Sequence, residues 1–135
     1  MKIGLYPMVA DVLHAGHIIA IEEAKSHCDY LIVGLNCAPS YKTPVQSIYE
    51  RFIQLRGVKW IDEIIPYDDS CKELLMSSLQ YDVYFLGEDY IDKPFQGKEI
   101  LQERNKEIYY LSRQHNLSST NVKNAIVENA QKKSK

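Results

Sequence analysis

The 135-residue sequence lacks several features that mark whole classes of protein. No apolar run approaches the roughly 20 residues of a membrane-spanning helix, and Asp11 and His14 interrupt the N-terminal apolar stretch too early for a signal peptide. The three cysteines are odd in number, widely spaced and without a CxxC pair, so neither a disulfide framework nor a zinc site is indicated. We therefore expect a cytoplasmic protein with reduced thiols and no membrane partner.

An excess of positive charge is also missing. The net charge is -2 and the pI is near 6.1, whereas proteins that grip long nucleic acid present a basic face. We expect no nucleic-acid partner, although a small anionic ligand needs only a few local donors. The length, with 45% hydrophobic and 25% charged residues, suits one domain over residues 1–135, ending in a frayed basic tail from about residue 128.

Short apolar runs alternate with amphipathic stretches along the chain. The runs predict strands, and the stretches between them, with caps such as Ser47, predict helices. The predicted strands cover 2–6, 30–35, 62–66, 81–86 and 107–111, and the predicted helices cover 16–26, 47–56, 70–80, 97–105 and a last one from 119. Such alternation is typical of βαβ units and predicts an α/β fold with a parallel sheet.

Parallel sheets bind ligands beyond the carboxyl ends of their strands, near the point where strand order reverses. Functional side chains should therefore follow the predicted strands. The segments that meet this condition are Pro7–His17, Asn36–Gln46, Gly87–Phe95 and Ser112–Thr120.

His14 and His17 flank Gly16 where the first strand gives way to the first helix. A helix N-terminus attracts anions, glycine allows close approach of the backbone, and two imidazoles three residues apart can share one side of a turn. The pattern favours binding of a triphosphate and stabilisation of departing pyrophosphate. Two alternatives stay open: one histidine caps the helix while the other packs, or a metal binds with His27 and Cys28, although His27 lies at the far end of the same helix.

Further blocks follow at spacings that extend over nearly the whole chain. They are residues 11–17, 22–25, 29–33, 50–51, 59–66, 87–90, 113 and 117–123. In this order they resemble the cytidylyltransferase-like nucleotidyltransferases. Length and pattern are most similar to the bacterial glycerol-3-phosphate cytidylyltransferases, while Pro44-Val45 before Glu50-Arg51 resembles sugar-phosphate adenylyltransferases of the heptose-phosphate type.

The resemblance implies a Rossmann-like three-layer sandwich with a five-stranded parallel sheet. It implies an enzyme of the EC 2.7.7 class that transfers a cytidylyl group from CTP to a small phosphorylated alcohol, such as glycerol 3-phosphate, and releases pyrophosphate by direct in-line attack. Mg²⁺ would bridge the phosphates without a dedicated protein metal site, and the protein would be a homodimer. The alternatives are an adenylyltransferase that uses ATP and a sugar phosphate, and a non-catalytic nucleotide-binding module.

The resemblance also implies a role for individual residues. The catalytic residues would be His14, His17, Lys42 and Arg113. Nucleotide binding would involve Val9, Ala10, Asp11, Gly16, Gly87, Asp89, Ser118, Ser119 and Thr120. Acceptor binding would involve Arg51 and Lys59. Simpler readings remain for some of them: Lys42 as a solvent-facing lysine, Arg51 as a surface partner of Glu50 or Asp62, and Ser118–Thr120 as a plain helix cap.

The sequence departs from the family pattern around these residues. Met8-Val9-Ala10-Asp11 replaces the usual Gly-Thr-Phe-Asp, Cys37-Ala38 replaces a hydroxyl residue and Asp, and Gln114 follows Arg113. None of these changes removes the predicted phosphate site. They leave the base and the acceptor open.

Overall fold

The apolar runs of the sequence become five parallel strands in the computed structural model, which describes residues 1–112 and 126–130. The strands are β1 (Ile3–Met8), β2 (Tyr30–Asn36), β3 (Glu63–Tyr67), β4 (Val83–Gly87) and β5 (Glu107–Leu111), and the helices are α1 (Ala15–Ser26), α2 (Ile48–Arg56), α3 (Lys72–Ser78) and α4 (Lys98–Glu103). The sheet order is β3-β2-β1-β4-β5, which confirms the predicted five-stranded parallel sheet. Residues 126–130 are helical, and the rest of the predicted last helix lies outside the described residues.

The helices cover both faces of the sheet. Ile21 of α1 and Leu55 of α2 join one apolar cluster, while Met76 of α3 and Leu101 of α4 join a second cluster on the opposite face. The middle strands are buried on both sides, which accounts for the nearly continuous apolar run in β2. The result is the three-layer arrangement that the family resemblance implied.

The predicted capping box of α2 is present. Ser47 Oγ accepts a hydrogen bond from the backbone N–H of Glu50 at 3.1 Å, and the N–H of Ser47 donates to Glu50 Oε1 at 3.1 Å. These bonds satisfy two of the N–H groups that the start of a helix leaves without partners. Within the described part of the chain, we find no helix with the length and apolar character needed to cross a bilayer.

Strand β1 continues past its predicted end at Tyr6, through Pro7 to Met8. It pairs with β2 along its whole length, but with β4 only at Gly4 and Leu5. Proline has no N–H to donate and is tolerated in a strand where no neighbour needs one. Because β4 has already separated from β1 at Pro7, the strand can continue there. The separation opens a cleft at the carboxyl end of the sheet, where the strand order reverses.

Candidate active site

The cleft between β1 and β4 encloses a pocket of about 450 Å³. The ends of both strands form its sides, and the first turn of α1, the segment after β2 and the start of α3 complete it. The predicted segments Pro7–His17, Asn36–Gln46 and Gly87–Phe95 all contribute residues to the lining. The expectation that ligands bind beyond the carboxyl ends of parallel strands therefore located three sides of the pocket.

The rings of His14 and His17 lie together at the start of α1, with centroids 4.1 Å apart. His14 Nδ1 accepts a hydrogen bond from Gly16 N at 2.9 Å, and His17 Nδ1 accepts one from His14 N at 3.2 Å. Because a neutral imidazole has one donor and one acceptor, each ring carries its proton on Nε2. The start of the helix thus holds two Nε2–H donors in fixed orientations.

The Nε2 atom of His14 is buried and has no hydrogen-bond partner among the described residues. Burial also lowers the pKa of His14, which keeps the ring neutral. His14 does cap its helix, as the simpler reading held, but capping uses only Nδ1. A buried donor without a partner is costly, and a ligand that accepts a hydrogen bond would satisfy it.

The backbone before His14 is held in an unusual shape. Ala10 and Val12 have φ values of 57° and 51°, in the left-handed region that non-glycine residues seldom occupy. The Asp11 carboxylate accepts hydrogen bonds from Val45 N at 2.9 Å and Gln46 N at 3.0 Å, while Gln46 Oε1 accepts one from Val12 N at 2.7 Å. These bonds stabilise the strained loop. Asp11 lines the pocket, but it also fixes the Pro44–Val45 turn beside the histidines.

Arg51 has a different role from the one that the resemblance implied. Its side chain is only 2% exposed, and its guanidinium group donates to backbone carbonyl oxygens at 2.6 to 3.2 Å. The acceptors belong to Val9, Asn36, Cys37 and Gln46. Neither acceptor binding nor a surface pair with Glu50 or Asp62 agrees with this geometry. Arg51 instead ties α2 to the carboxyl ends of β1 and β2.

The position of Lys59 also disagrees with its predicted role in acceptor binding. It is exposed and lies between the end of α2 and the start of β3, with its ammonium group 4.6 Å from the centre of the Trp60 ring. Because the strands are parallel, the start of β3 is at the opposite end of the sheet from the cleft. Lys59 is therefore remote from the pocket.

The other predicted residues within the described part of the chain divide into three groups. Val9, Ala10, Lys42 and Gly87 line the pocket, and Lys42 is exposed there. Gly16 is buried and contacts His14 through its N–H. Asp89 is exposed in the single helical turn Glu88–Tyr90 that follows β4, and its contact with the nucleotide stays a prediction.

Arg113, Ser118, Ser119 and Thr120 lie outside the described residues, so their predicted phosphate contacts stay predictions. The chain approaches that segment at Ser112, whose N–H donates to both carboxylate oxygens of Glu23 at 3.2 Å. Ser112 Oγ is buried without a hydrogen-bond partner among the described residues. Glu23 on α1 therefore fixes the chain where it leaves β5.

Sequence reasoning missed the side of the pocket that follows β3. Tyr67, Asp69 and Lys72 line it, together with Asn36 from the end of β2. The same expectation about the carboxyl ends of strands would have found this segment if it had been applied to the third strand as well. Arg51 also left a signal, because it shares the buried side of α2 with Leu55 at the helical spacing of four.

A family model described as cytidylyltransferase-like matches residues 5–125. The chain belongs to the cytidylyltransferase-like family. This cytidylyltransferase-like chain is 34% identical over 114 residues to the bifunctional protein HldE of Hyphomonas neptunium, and 30% identical over 128 residues to that of Pectobacterium carotovorum subsp. carotovorum. These alignments cover 80% and 90% of the chain, but only 24% and 27% of the relatives.

The cytidylyltransferase-like chain thus spans about a quarter of the length of these curated relatives. Among solved structures, it resembles a lipopolysaccharide core biosynthesis protein from Thermoplasma volcanium GSS1, with a TM-score of 0.70 and 22% identity. That match covers 85% of this chain and 99% of the other. The predicted family and the Rossmann-like fold are confirmed.

Proposed function

We propose that this protein transfers a nucleotidyl group from a nucleoside triphosphate to a small phosphorylated polyol or sugar. The observation that carries the proposal is the pair of imidazoles at the start of α1, beside a cleft at the switch point of the sheet. His14 Nε2 is a buried donor without a partner among the described residues, and His17 lines the pocket. Donors with fixed orientations suit a triphosphate whose negative charge shifts during the reaction.

In the proposed reaction, an oxygen of the acceptor phosphate attacks the α-phosphorus of the nucleotide. A new P–O bond forms, the bond between the α-phosphorus and the α–β bridging oxygen breaks, and pyrophosphate leaves with the electron pair. No covalent bond to the protein forms at any stage. The histidine Nε2–H groups would donate to the phosphate oxygens, and the protein would act through positioning and charge stabilisation. Arg113, Lys42 and the N–H groups of Ser118–Thr120 would complete the phosphate contacts.

A magnesium ion fits this proposal as a partner of the phosphates. Among the described residues, no group of three or more His, Cys, Asp or Glu side chains could hold a metal ion. Two carboxylates of the pocket, those of Asp11 and Asp69, accept hydrogen bonds from neighbouring protein groups. Mg²⁺ is commonly held by substrate phosphates and water with few protein ligands, and it would neutralise charge on the leaving pyrophosphate.

The identity of the donor has two candidates. CTP, with glycerol 3-phosphate as acceptor, is the pair that the resemblance to glycerol-3-phosphate cytidylyltransferases implies. ATP with a sugar phosphate is favoured by the Pro44–Val45 turn, which resembles that of sugar-phosphate adenylyltransferases. This turn contacts the Asp11 carboxylate through Val45 N and so lies next to the segment that precedes His14. We also propose that the protein works as a homodimer in the cytoplasm, which sedimentation and cell fractionation would test.

Pyrophosphate release tests the proposal directly. The pure protein would be incubated with Mg²⁺, with each of the common nucleoside triphosphates and with a panel of polyol and sugar phosphates. We expect release that requires both substrates, in amounts equal to the nucleoside-diphospho product. Release with CTP but not ATP supports the cytidylyltransferase, and the reverse supports the adenylyltransferase.

The same experiment addresses the non-catalytic alternative. That alternative is motivated by Met8-Val9-Ala10, which replaces the family's usual residues before the histidines. Tight binding of a nucleotide without pyrophosphate release from any substrate pair would contradict the proposed reaction. It would make the protein a nucleotide-binding module on the same fold.

A further inference from the structure

The part of the pocket that follows β3 is organised around Asp69. Its carboxylate accepts hydrogen bonds from Asn36 Nδ2 at 2.9 Å, from Ser40 N at 2.7 Å and from Ser40 Oγ at 2.6 Å. Gln96 Nε2 donates to its backbone carbonyl at 3.1 Å. Two segments that are distant in sequence, one with Asn36 and Ser40 and one with Gln96, therefore meet at Asp69. Hydrogen bonds therefore hold the residues on this side of the pocket in defined positions.

Lys72 lines the pocket three residues further along, as the first residue of α3. Burial lowers the pKa of its ammonium group, and the negative charge of Asp69 only partly opposes that effect. Within residues 1–112 and 126–130, we find neither a hydrogen bond nor an ion pair to Lys72 Nζ. A partly buried cation without a paired anion is unfavourable, and an anionic ligand would stabilise it.

Other side chains of the same pocket suit a polar, uncharged remainder of such a ligand. Tyr67 and Tyr84 line the same pocket, and burial raises the pKa of both phenols, so their hydroxyl groups stay neutral. Phe95 stacks on Tyr84 with ring centroids 6.1 Å apart, which adds an apolar wall. Neutral hydroxyl groups beside an aromatic wall are suited to the hydroxyls and carbon skeleton of a polyol.

Strand order separates Lys72 from the proposed triphosphate site. His14 and His17 follow β1, and the segment with Arg113 follows β5, whereas Lys72 follows β3 at the other edge of the sheet. A triphosphate held at the histidines would lie where β1 and β4 separate. The β3 side is then left for the second substrate.

We propose that Lys72 binds an anionic group of the acceptor and thereby selects the acceptor, an inference that rests on the proposed function. The Lys72 ammonium pairs with a phosphomonoester of a small polyol or sugar, and the neighbouring tyrosines contact the hydroxyls. A carboxylate would offer the same kind of charge, so the experiment includes both anions. Neutral polyols lack the group that Lys72 recognises.

Equilibrium binding tests this role without depending on turnover. Glycerol 3-phosphate, glycerate and glycerol would be titrated calorimetrically into the wild-type protein, Lys72→Gln and Lys72→Arg, with and without a non-hydrolysable nucleoside triphosphate. We expect Lys72→Gln to weaken phosphomonoester binding about tenfold or more, because a charge-assisted bond is lost. Lys72→Arg should retain much of the affinity. Preference for glycerate over glycerol 3-phosphate would reassign the site to a carboxylate acceptor.

Lys98→Gln is the matched control, because Lys98 is likewise the first residue of its helix but is not part of the pocket lining. We expect it to bind every probe within about twofold of wild type, well inside the tenfold effect. Binding of the triphosphate analogue should be unchanged in all three variants. Urea unfolding of each variant checks that the fold is intact.

The outcomes separate this inference from the proposed reaction. Loss of triphosphate affinity in Lys72→Gln, with phosphomonoester binding unchanged, overturns the assignment to the acceptor. Failure of the wild type to bind any anionic probe at about 10 mM also overturns it, whatever the pyrophosphate assay gives. If phosphomonoester binding depends on Lys72 but no pyrophosphate is released, the acceptor site stands and the transfer reaction fails.

Discussion

Backbone N–H groups of the first helical turn orient the rings of His14 and His17. Each Nδ1 accepts from a backbone N–H of the first turn, so the tautomer of both rings depends on the helix itself. A substitution that leaves the helix start intact should therefore leave the remaining ring in place.

His17→Ala should lower kcat by about 10²-fold or more, because it removes one donor to the charge that develops on the phosphates. Pyrophosphate release under saturating substrates measures the effect. His27→Ala is the control, since His27 is exposed at the far end of the same helix. A His17→Ala variant with near-normal turnover and an unchanged melting temperature would remove the central element of the proposed mechanism.

Much of the candidate site could be predicted from the sequence, because it depends on local signals. The histidine pair follows an apolar strand and opens a helix, and the capping box at Ser47 and Glu50 marks the next helix. The role of Arg51 could not be predicted in this way. It depends on carbonyl groups from three separate segments, and no local sequence pattern predicts that these segments lie together around Arg51. The position of Lys59 was predictable, because it precedes the predicted third strand and so lies at the end of the sheet opposite the cleft.

Helix α2 carries a buried cation that connects it to two strands. Arg51→Met should lower the free energy of unfolding by about 3 kcal/mol or more, since several buried carbonyl groups lose their donor. Urea unfolding monitored by circular dichroism measures the change. Arg56→Met, on the same helix with its guanidinium 5.6 Å from the centre of the Phe52 ring, should cost no more than about 1 kcal/mol. Similar values for the two variants would contradict the role given to Arg51.

Helix α4 is preceded by Gly97, a glycine that few other residues could replace. Gly97 has φ of 91°, and a Cβ placed there would lie 2.3 Å from Met76 Sδ in α3. Gly97→Ala should therefore destabilise the protein by about 2 kcal/mol, through backbone strain and crowding. Gly57→Ala is the control, because Gly57 has φ of -80° and its nearest neighbouring atom is 3.5 Å away. Thermal unfolding in which the two variants melt together would refute this reading of the α3–α4 contact.

The stability of the whole protein should depend on pH through the partly buried His14. Burial lowers the pKa of His14 in the folded protein below the ordinary value of 6.5, so the unfolded chain takes up a proton first as the pH falls. Stability is therefore full above about pH 6.5 and declines as the pH falls through the folded pKa. Urea unfolding at steps from pH 8 to pH 5 measures this decline.

His14→Asn isolates the contribution of that histidine. Asparagine is a good helix cap and has no titration in this range, so the variant should keep α1 while losing part of the pH dependence. The unfolding free energies of the variant should change less between pH 7 and pH 5 than those of the wild type. Parallel curves for the two proteins would show that another group is responsible.

The separation of β1 from β4 beyond Leu5 affects which substitutions the protein can tolerate. The cleft results from the order in which the strands are assembled, and the residues that keep its edges in place, Arg51 and Asp11, are buried. Lys42 and Lys72 line the pocket and contribute less to holding its edges in place. Substitutions at the two kinds of position should therefore have separate effects. In directed evolution, libraries at pocket residues that are not buried, such as Lys42 and Lys72, should yield folded proteins with altered acceptors, whereas libraries at Arg51 and Asp11 should yield few folded proteins.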